Sequence, residues 1–377
     1  MEKIIIEKMS RLLGSENIIE KLSLLSAKDF QSLLLYVFER RARDWTVTEL
    51  FKQYSNSRLT GAAAISQKEL INFDKVALDL LDKDFKTIEF SPITAFGVNS
   101  ILASTNQKNV MSTVKNFEVI ADPVTTLALE SARLRDRANK TQIINLATSQ
   151  RCVRLQNFDN IPGFLPHFRV LALSSAGYHE TVHELEIGFI CKHLTYYLNL
   201  IKLLKPELNL NIKKISILLS DMGLTEYLIY KYKVDRIGLG RLTQDKNFNL
   251  IDFLKIDSPR YIFTLKDLEP TIIKNSDTDI YILRLKKAYQ TIKESLVMHR
   301  RSTEFGVDLG RIAGMGYYDN FCIRVNAEND QGQTFPIIDG GATTWLKKLL
   351  SCKKERFFLS GIGSELLCNN FKIAVQK

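Results

Sequence analysis

The order of the β-type segments bears hardest on what this chain can fold into. Tyr317 to Val325, Thr334 to Ile338 and Phe357 to Leu359 follow one another in the last third. Few of the connections are built as crossover helices. Parallel neighbours need a return of a dozen or more residues, usually helical, whereas antiparallel neighbours need only a turn. Glu118 to Ala121, Gln142 to Thr148, Phe168 to Ser174 and Lys214 to Ser220 read as further strands. Thr87 to Phe90 leads into Ser91 and Pro92, which suits a strand end or an edge. The series predicts an α+β fold, a mainly antiparallel sheet flanked by helices, rather than a doubly wound one.

Helical spacing governs the rest. Ser26 to Asp29 is a capping signal, and Phe30, Leu33, Leu34, Val37 and Phe38 follow it on one face. That helix runs into Arg40, Arg41 and Arg43, which suit either a solvated helix end or a nucleic-acid arm. After a linker at Ser57 to Ala63, Ser66 and Glu69 form a capping box. It opens a helix with Leu70, Phe73, Val76, Leu78, Leu80 and Leu81, expected to reach about Lys83. A long helix is expected from about Glu180 to Leu204, and another from Tyr281 to Arg301. The organisation is thus a helical extension over 1–65, a core over 66–222 and 301–377, and a mostly helical insert over 223–300.

Composition narrows the setting. With 377 residues, 45% hydrophobic and 25% charged, the chain can build two or three ordinary cores. No apolar run approaches the ~20 residues of a membrane span, and MEKIIIEKMS has no signal-peptide core. Cys152, Cys191, Cys322, Cys352 and Cys368 are scattered, which excludes a zinc ribbon and a disulfide scaffold and points to a reducing cytoplasm. A net charge of +10 suits an anionic partner such as RNA, a nucleotide or an acidic protein, although the surplus is diffuse.

Two motifs invite chemistry and do not carry it. His179-Glu180-Thr181-Val182-His183 fits H-E-x-x-H, in which histidines four apart on a helix can hold zinc. Gly177 and Tyr178, however, put His179 at or before the helix start, and no third ligand follows at a suitable spacing. Surface and capping histidines are the better reading, and no metal site is assigned. Gly310 to Gly316 and Gly361 to Gly363 lack the order of a phosphate fingerprint and read as turns and close packing.

A longer pattern is more specific. Gly314-Met315-Gly316-Tyr317-Tyr318 leads into a strand ending at Val325; Asp339-Gly340-Gly341 and Leu346 follow, and Gly361-Ile362-Gly363-Ser364-Glu365-Leu366 closes the series. This resembles the end of the catalytic core of histidyl-tRNA synthetases and of their paralogue, the regulatory subunit of ATP phosphoribosyltransferase. In that family R-G-L-D-Y-Y, G-G-R-Y-D-G-L and G-L-E-R-L occur in the same order. Upstream, the Ser66 helix with Pro92 is similar to the first class II motif, and Asp122-Pro123 with Thr125 and Thr126 to the R-P-E-G-T turn. Asn145 to Arg151 is similar to the second-motif strand. The resemblance implies a class II synthetase-like fold and a homodimer through the first motif.

The departures bear on activity. Substrate-ammonium contacts of the synthetases fall here on Val124, Val170 and Ser174, and the arginine before G-L-D-Y-Y falls on Ala313. The third-motif arginine falls on Leu366, and the second-motif glutamate on Val153. A lost partner leaves an ammonium unpaired at about 1–3 kcal/mol, and no lysine restores a planar guanidinium clamp. The chain as given ends at Lys377, where synthetases continue into an anticodon-binding domain and the regulatory subunit does not.

The expected function is therefore a non-catalytic, ligand-sensing or regulatory subunit, with a short ATP phosphoribosyltransferase as the kind of catalytic partner implied. The pocket residues are Asp122, Thr125, Thr126, Arg151, Arg154, His167, Arg169, Tyr317, Tyr318 and Glu365, with Arg151 as the phosphate or carboxylate contact. One alternative is an ATP-dependent, adenylate-forming ligase for an acid other than histidine, using ATP with magnesium. Another is an RNA-binding accessory protein acting through the basic N-terminal helices.

Overall fold

The computed structural model describes residues 2–103, 105–156, 164–181, 183–242, 248–268, 276–300 and 302–373. Its strands are β1 (Phe85–Thr87), β2 (Ile93–Ala95), β3 (Phe117–Val119), β4 (Ile144–Val153), β5 (His167–Tyr178), β6 (Lys214–Asp221), β7 (Tyr261–Ile262), β8 (Thr303–Asp308), β9 (Phe321–Glu328), β10 (Thr334–Thr343) and β11 (Glu355–Gly363). Nine of them form one sheet in the order β1-β4-β5-β11-β10-β9-β6-β8-β7, and β2 with β3 makes a separate ribbon. From β4 to β6 every neighbouring pair is antiparallel; parallel pairs occur only toward the edges, between β1 and β4 and between β6 and β8. The fold is mixed α+β, a large sheet flanked by helices.

Period-two alternation divides the sheet into two faces. Ala147, Leu171, Leu173, Phe358, Ile323 and Val325 point into a large core with the helices Gln67–Asp79, His183–Glu207, Ser276–Ser295 and Ser364–Phe371. Leu146, Ala172, Ala176, Phe357 and Leu359 point the other way, against the helix Pro123–Arg135 and Trp345. That second cover is short of the sheet's full width, and a cavity lies beside it.

Local signals set the helix starts. The capping box forms, with Glu69 N donating to Ser66 Oγ at 3.2 Å, but the helix stops at Asp79 rather than near Lys83. The long helix runs His183–Glu207 rather than Glu180 to Leu204. Ser276–Ser295 gives way to a short 3-10 turn before Arg300, and Arg301 lies outside the described residues, as do 243–247 and 269–275 of the insert. At the front of the chain, the helices Ile18–Ser23, Ala27–Arg43 and Val47–Asn56 bury no residue, and Tyr36, Phe38, Trp45 and Phe51 stand exposed.

One expected strand starts late. Tyr317 and Tyr318 lie in a turn before β9, because Gly314 and Gly316 take the left-handed φ values of 97° and 76°. The tyrosines therefore do not alternate across a strand. Both border the cavity.

Candidate ligand cavity

The cavity encloses about 840 Å³ on the less covered face of the sheet. Its apolar surface comes from Val124, Val170, Leu359 and Leu366, and its polar groups gather at two places.

The first is the start of the helix Pro123–Arg135. Proline at the first helical position needs no N–H partner there, and Asp122 caps the turn by accepting from Val124 N at 3.3 Å. Arg154 donates to the other Asp122 oxygen at 2.7 Å and to Ala121 O at 2.7 Å, and its guanidinium lies 5.0 Å from the centre of the Phe168 ring. Burial raises the Asp122 carboxyl above the ordinary carboxylate range, and Arg154 pulls against that rise.

The second group is built by the glycine turn and two strands. Arg311 Nη2 donates to both oxygens of Asp339, at 2.9 and 2.8 Å, and its Nε donates to Ala313 O at 2.8 Å. Tyr318 donates its hydroxyl to Asp339 at 2.7 Å, and Arg324 Nε donates to the same carboxylate at 3.2 Å. Arg324 and Asp339 are direct cross-strand partners of β9 and β10, which brings the two charges onto one face. Gly341 is required for this arrangement. A Cβ there would stand 2.4 Å from the Tyr318 ring, so any side chain would lift the tyrosine away from Asp339.

Tyr317 meets Tyr318 and Trp345 edge to face, at 4.9 and 5.0 Å between centroids. Burial drives both phenols well above their ordinary range, and the Asp339 charge adds to this for Tyr318. They are neutral at physiological pH.

Of the residues expected from sequence, Asp122, Arg154, Arg169, Tyr317 and Tyr318 border the cavity; Thr125, Thr126, Arg151, His167 and Glu365 do not. Thr125 turns its hydroxyl back to Asp122 O at 2.8 Å, and the Thr126 hydroxyl is buried without a partner. Arg151 falls on the opposite face. It pairs with Glu365 and meets His167 Nδ1 at 2.9 Å. Arg169, its cross-strand partner, turns its guanidinium to Ser149 at 2.9 Å and to Asp74 at 3.1 Å. A shift of one residue along a strand exchanges faces, and that parity removes Arg151 from the cavity.

Arg311, Arg324 and Asp339 are the residues that sequence reasoning missed. Arg324 carried a legible signal, since Phe321, Ile323, Val325 and Ala327 occupy the buried alternate positions. Arg311 did not, because its place depends on the path of the glycine turn. Of the expected departures, Val124, Val170, Ala313 and Leu366 do border the cavity, whereas Ser174 is buried and faces Ser131 at 3.3 Å. His179 is exposed and bonded to Thr181, while His183 opens the long helix, so the two histidines share no helical face; Val182 between them lies outside the described residues. Among the described residues, no group of three or more His, Cys, Asp or Glu is placed to hold a metal ion, and no helix is long and apolar enough to cross a membrane.

No family model matches the sequence, and no curated protein does. Solved structures do match. An ATP phosphoribosyltransferase regulatory subunit/histidyl-tRNA synthetase from Bacillus halodurans superposes with a TM-score of 0.61 at 13% identity, over 84% of this chain and 83% of the other. A histidine–tRNA ligase subunit from Alicyclobacillus acidocaldarius gives 0.55 at 11% identity, over 82% and 94%. A chain of an ATP phosphoribosyltransferase complex from Thermotoga maritima gives 0.50 at 13% identity, over 79% and 97%. The chain therefore has the class II synthetase-like fold of these proteins.

Proposed function

We propose that this protein is a non-catalytic relative of the class II synthetases that binds a small ligand in its sheet cavity and serves a partner protein as a regulatory subunit. The observation that carries the reading is the state of the cavity's carboxylates. Asp122 is occupied by Arg154 and the helix start, and Asp339 by Arg311, Arg324 and Tyr318. Each carboxylate is already neutralised by a guanidinium, which disfavours it as a magnesium or ammonium ligand, and Leu366 borders the cavity where the resemblance puts a phosphate-clamping arginine. This arrangement is poorly suited to ATP with magnesium. It does fit an acceptor-rich small molecule, and the volume lies in the usual range of about 300–1,000 Å³ for such sites.

For the partner, the matched Thermotoga maritima structure is of an ATP phosphoribosyltransferase complex, and a short catalytic subunit of that enzyme is the partner we propose here. Exposed apolar side chains such as Tyr36, Phe38 and Phe51 give the N-terminal helices a surface suited to protein contacts. Charge does not favour RNA there, since residues 1–56 hold nine Lys and Arg against eight Asp and Glu. A homodimer and a cytoplasmic setting complete the proposal.

The ligase is the second reading. It is favoured by three guanidiniums, those of Arg154, Arg311 and Arg324, at a cavity large enough for a nucleotide. Two assays separate the readings: co-purification with the short phosphoribosyltransferase subunit encoded in the same genome, and pyrophosphate exchange with magnesium ATP and a panel of acids. A stable complex without exchange supports the regulatory subunit. Exchange with any acid replaces it with the ligase.

A further inference from the structure

We propose that Arg324 and Arg311, set in place by Asp339, form a subsite for an oxyanion, the carboxylate or phosphate group of a small ligand. The inference rests on the cavity being the ligand site and specifies what that site selects.

Donors and acceptors do not balance at this end of the cavity. An ionised carboxylate has about four acceptor positions. Asp339 uses all four: Oδ1 takes Arg311 Nη2 and the Tyr318 hydroxyl, and Oδ2 takes Arg311 Nη2 and Arg324 Nε. What remains is donors. Arg311 is 3% exposed, yet its Nη1 has no hydrogen-bond partner among the described residues, although buried guanidinium nitrogens are ordinarily satisfied. Among the described residues Arg324 makes one hydrogen bond, through Nε, so both of its terminal nitrogens are unused there, and its side chain is 29% exposed at the cavity wall.

Charge points the same way. Among the described residues, two guanidiniums share one carboxylate here, which leaves one positive charge uncompensated. At the helix start, Arg154 and Asp122 pair one to one. A structural pair would need only one of the two arginines. A second arginine, with its planar fork turned away from the carboxylate it shares, is suited to a bidentate oxyanion. Asp339 acts through the arginines and is a positioning residue, since its own acceptor positions are filled.

The test uses the full-length protein and two matched pairs of probes in calorimetry: AMP with adenosine, and histidine with histidinamide. The acid of at least one pair should bind about tenfold tighter or better than its neutral-group partner, as a lost charge-assisted contact implies. Preference for AMP identifies a phosphate, preference for histidine a carboxylate. Arg324→Gln should abolish the preference while leaving the weaker partner's affinity within twofold, and Arg324→Lys should restore part of it. Its half-exposed position predicts a melting temperature within about 4 °C of the parent, so a folding defect would be visible as such. Equal binding within both pairs, or a preference that survives Arg324→Gln, overturns the subsite and leaves the cavity reading standing. Failure of all four probes at millimolar concentration overturns both.

Discussion

Arg151 and Arg169 lie opposite each other on β4 and β5, and Arg324 and Asp339 lie opposite each other on β9 and β10, in the same sheet. Arg151 lies off the cavity and Arg169 only borders it, and each has its own acid: Glu365 for Arg151, Asp74 for Arg169. On the cavity face, Arg324 shares Asp339 with Arg311. Arg151 and Arg324 are similarly accessible, with side chains 34% and 29% exposed, so it is the pairing and not the access to water that differs between the two places. At the cavity, the surplus of donors is what the proposed oxyanion subsite would use.

Substitutions can break or sharpen that contrast. The largest effect belongs to the covered face: Phe358→Ala, at a fully buried position, should cost about 3–5 kcal/mol of stability in urea unfolding. Next is acid. His193 bridges Ser175 and Ser360 in the same core, and burial, helped by Lys192, lowers its pKa to about 3 from 6.5. The unfolded imidazole therefore takes a proton first. Stability from the neutral ring is complete above pH 6.5 and falls away toward pH 3, by a few kcal/mol. Urea midpoints at pH 7 and 4.5 should drop less in His193→Gln than in the parent. Arg151→Gln leaves Glu365 buried with a weaker partner, and about 1–3 kcal/mol should be lost with anion affinity unchanged. Smallest in stability is Arg324→Gln, about 1 kcal/mol or less, although its effect on the anion is the largest of the set.

The sheet's central strands were legible because they are buried runs. Gln142 to Thr148 overlaps β4 from Ile144 on, Phe168 to Ser174 falls within β5, and Lys214 to Ser220 within β6. Their short apolar stretches need no partner to be recognised. Parallel pairing of β1 with β4 was not legible, since it depends on contacts about sixty residues apart in the chain. Five of the ten expected pocket residues border the cavity, and the places of the others have particular causes. Arg151 is expected from similarity of strand position, and strand parity turns it away from this cavity. Tyr317 and Tyr318 were read as strand, but Gly314 and Gly316 bend them into a turn. Arg311 reaches the site only because that turn folds back toward Asp339, a path that no local pattern encodes.

A crystal structure of the full-length protein soaked with the tightest-binding of the four probes tests the account most directly. The account predicts the probe's oxyanion on the cavity face, within hydrogen-bond distance of Arg324 and Arg311. An oxyanion held instead by Arg151 on the opposite face would contradict it.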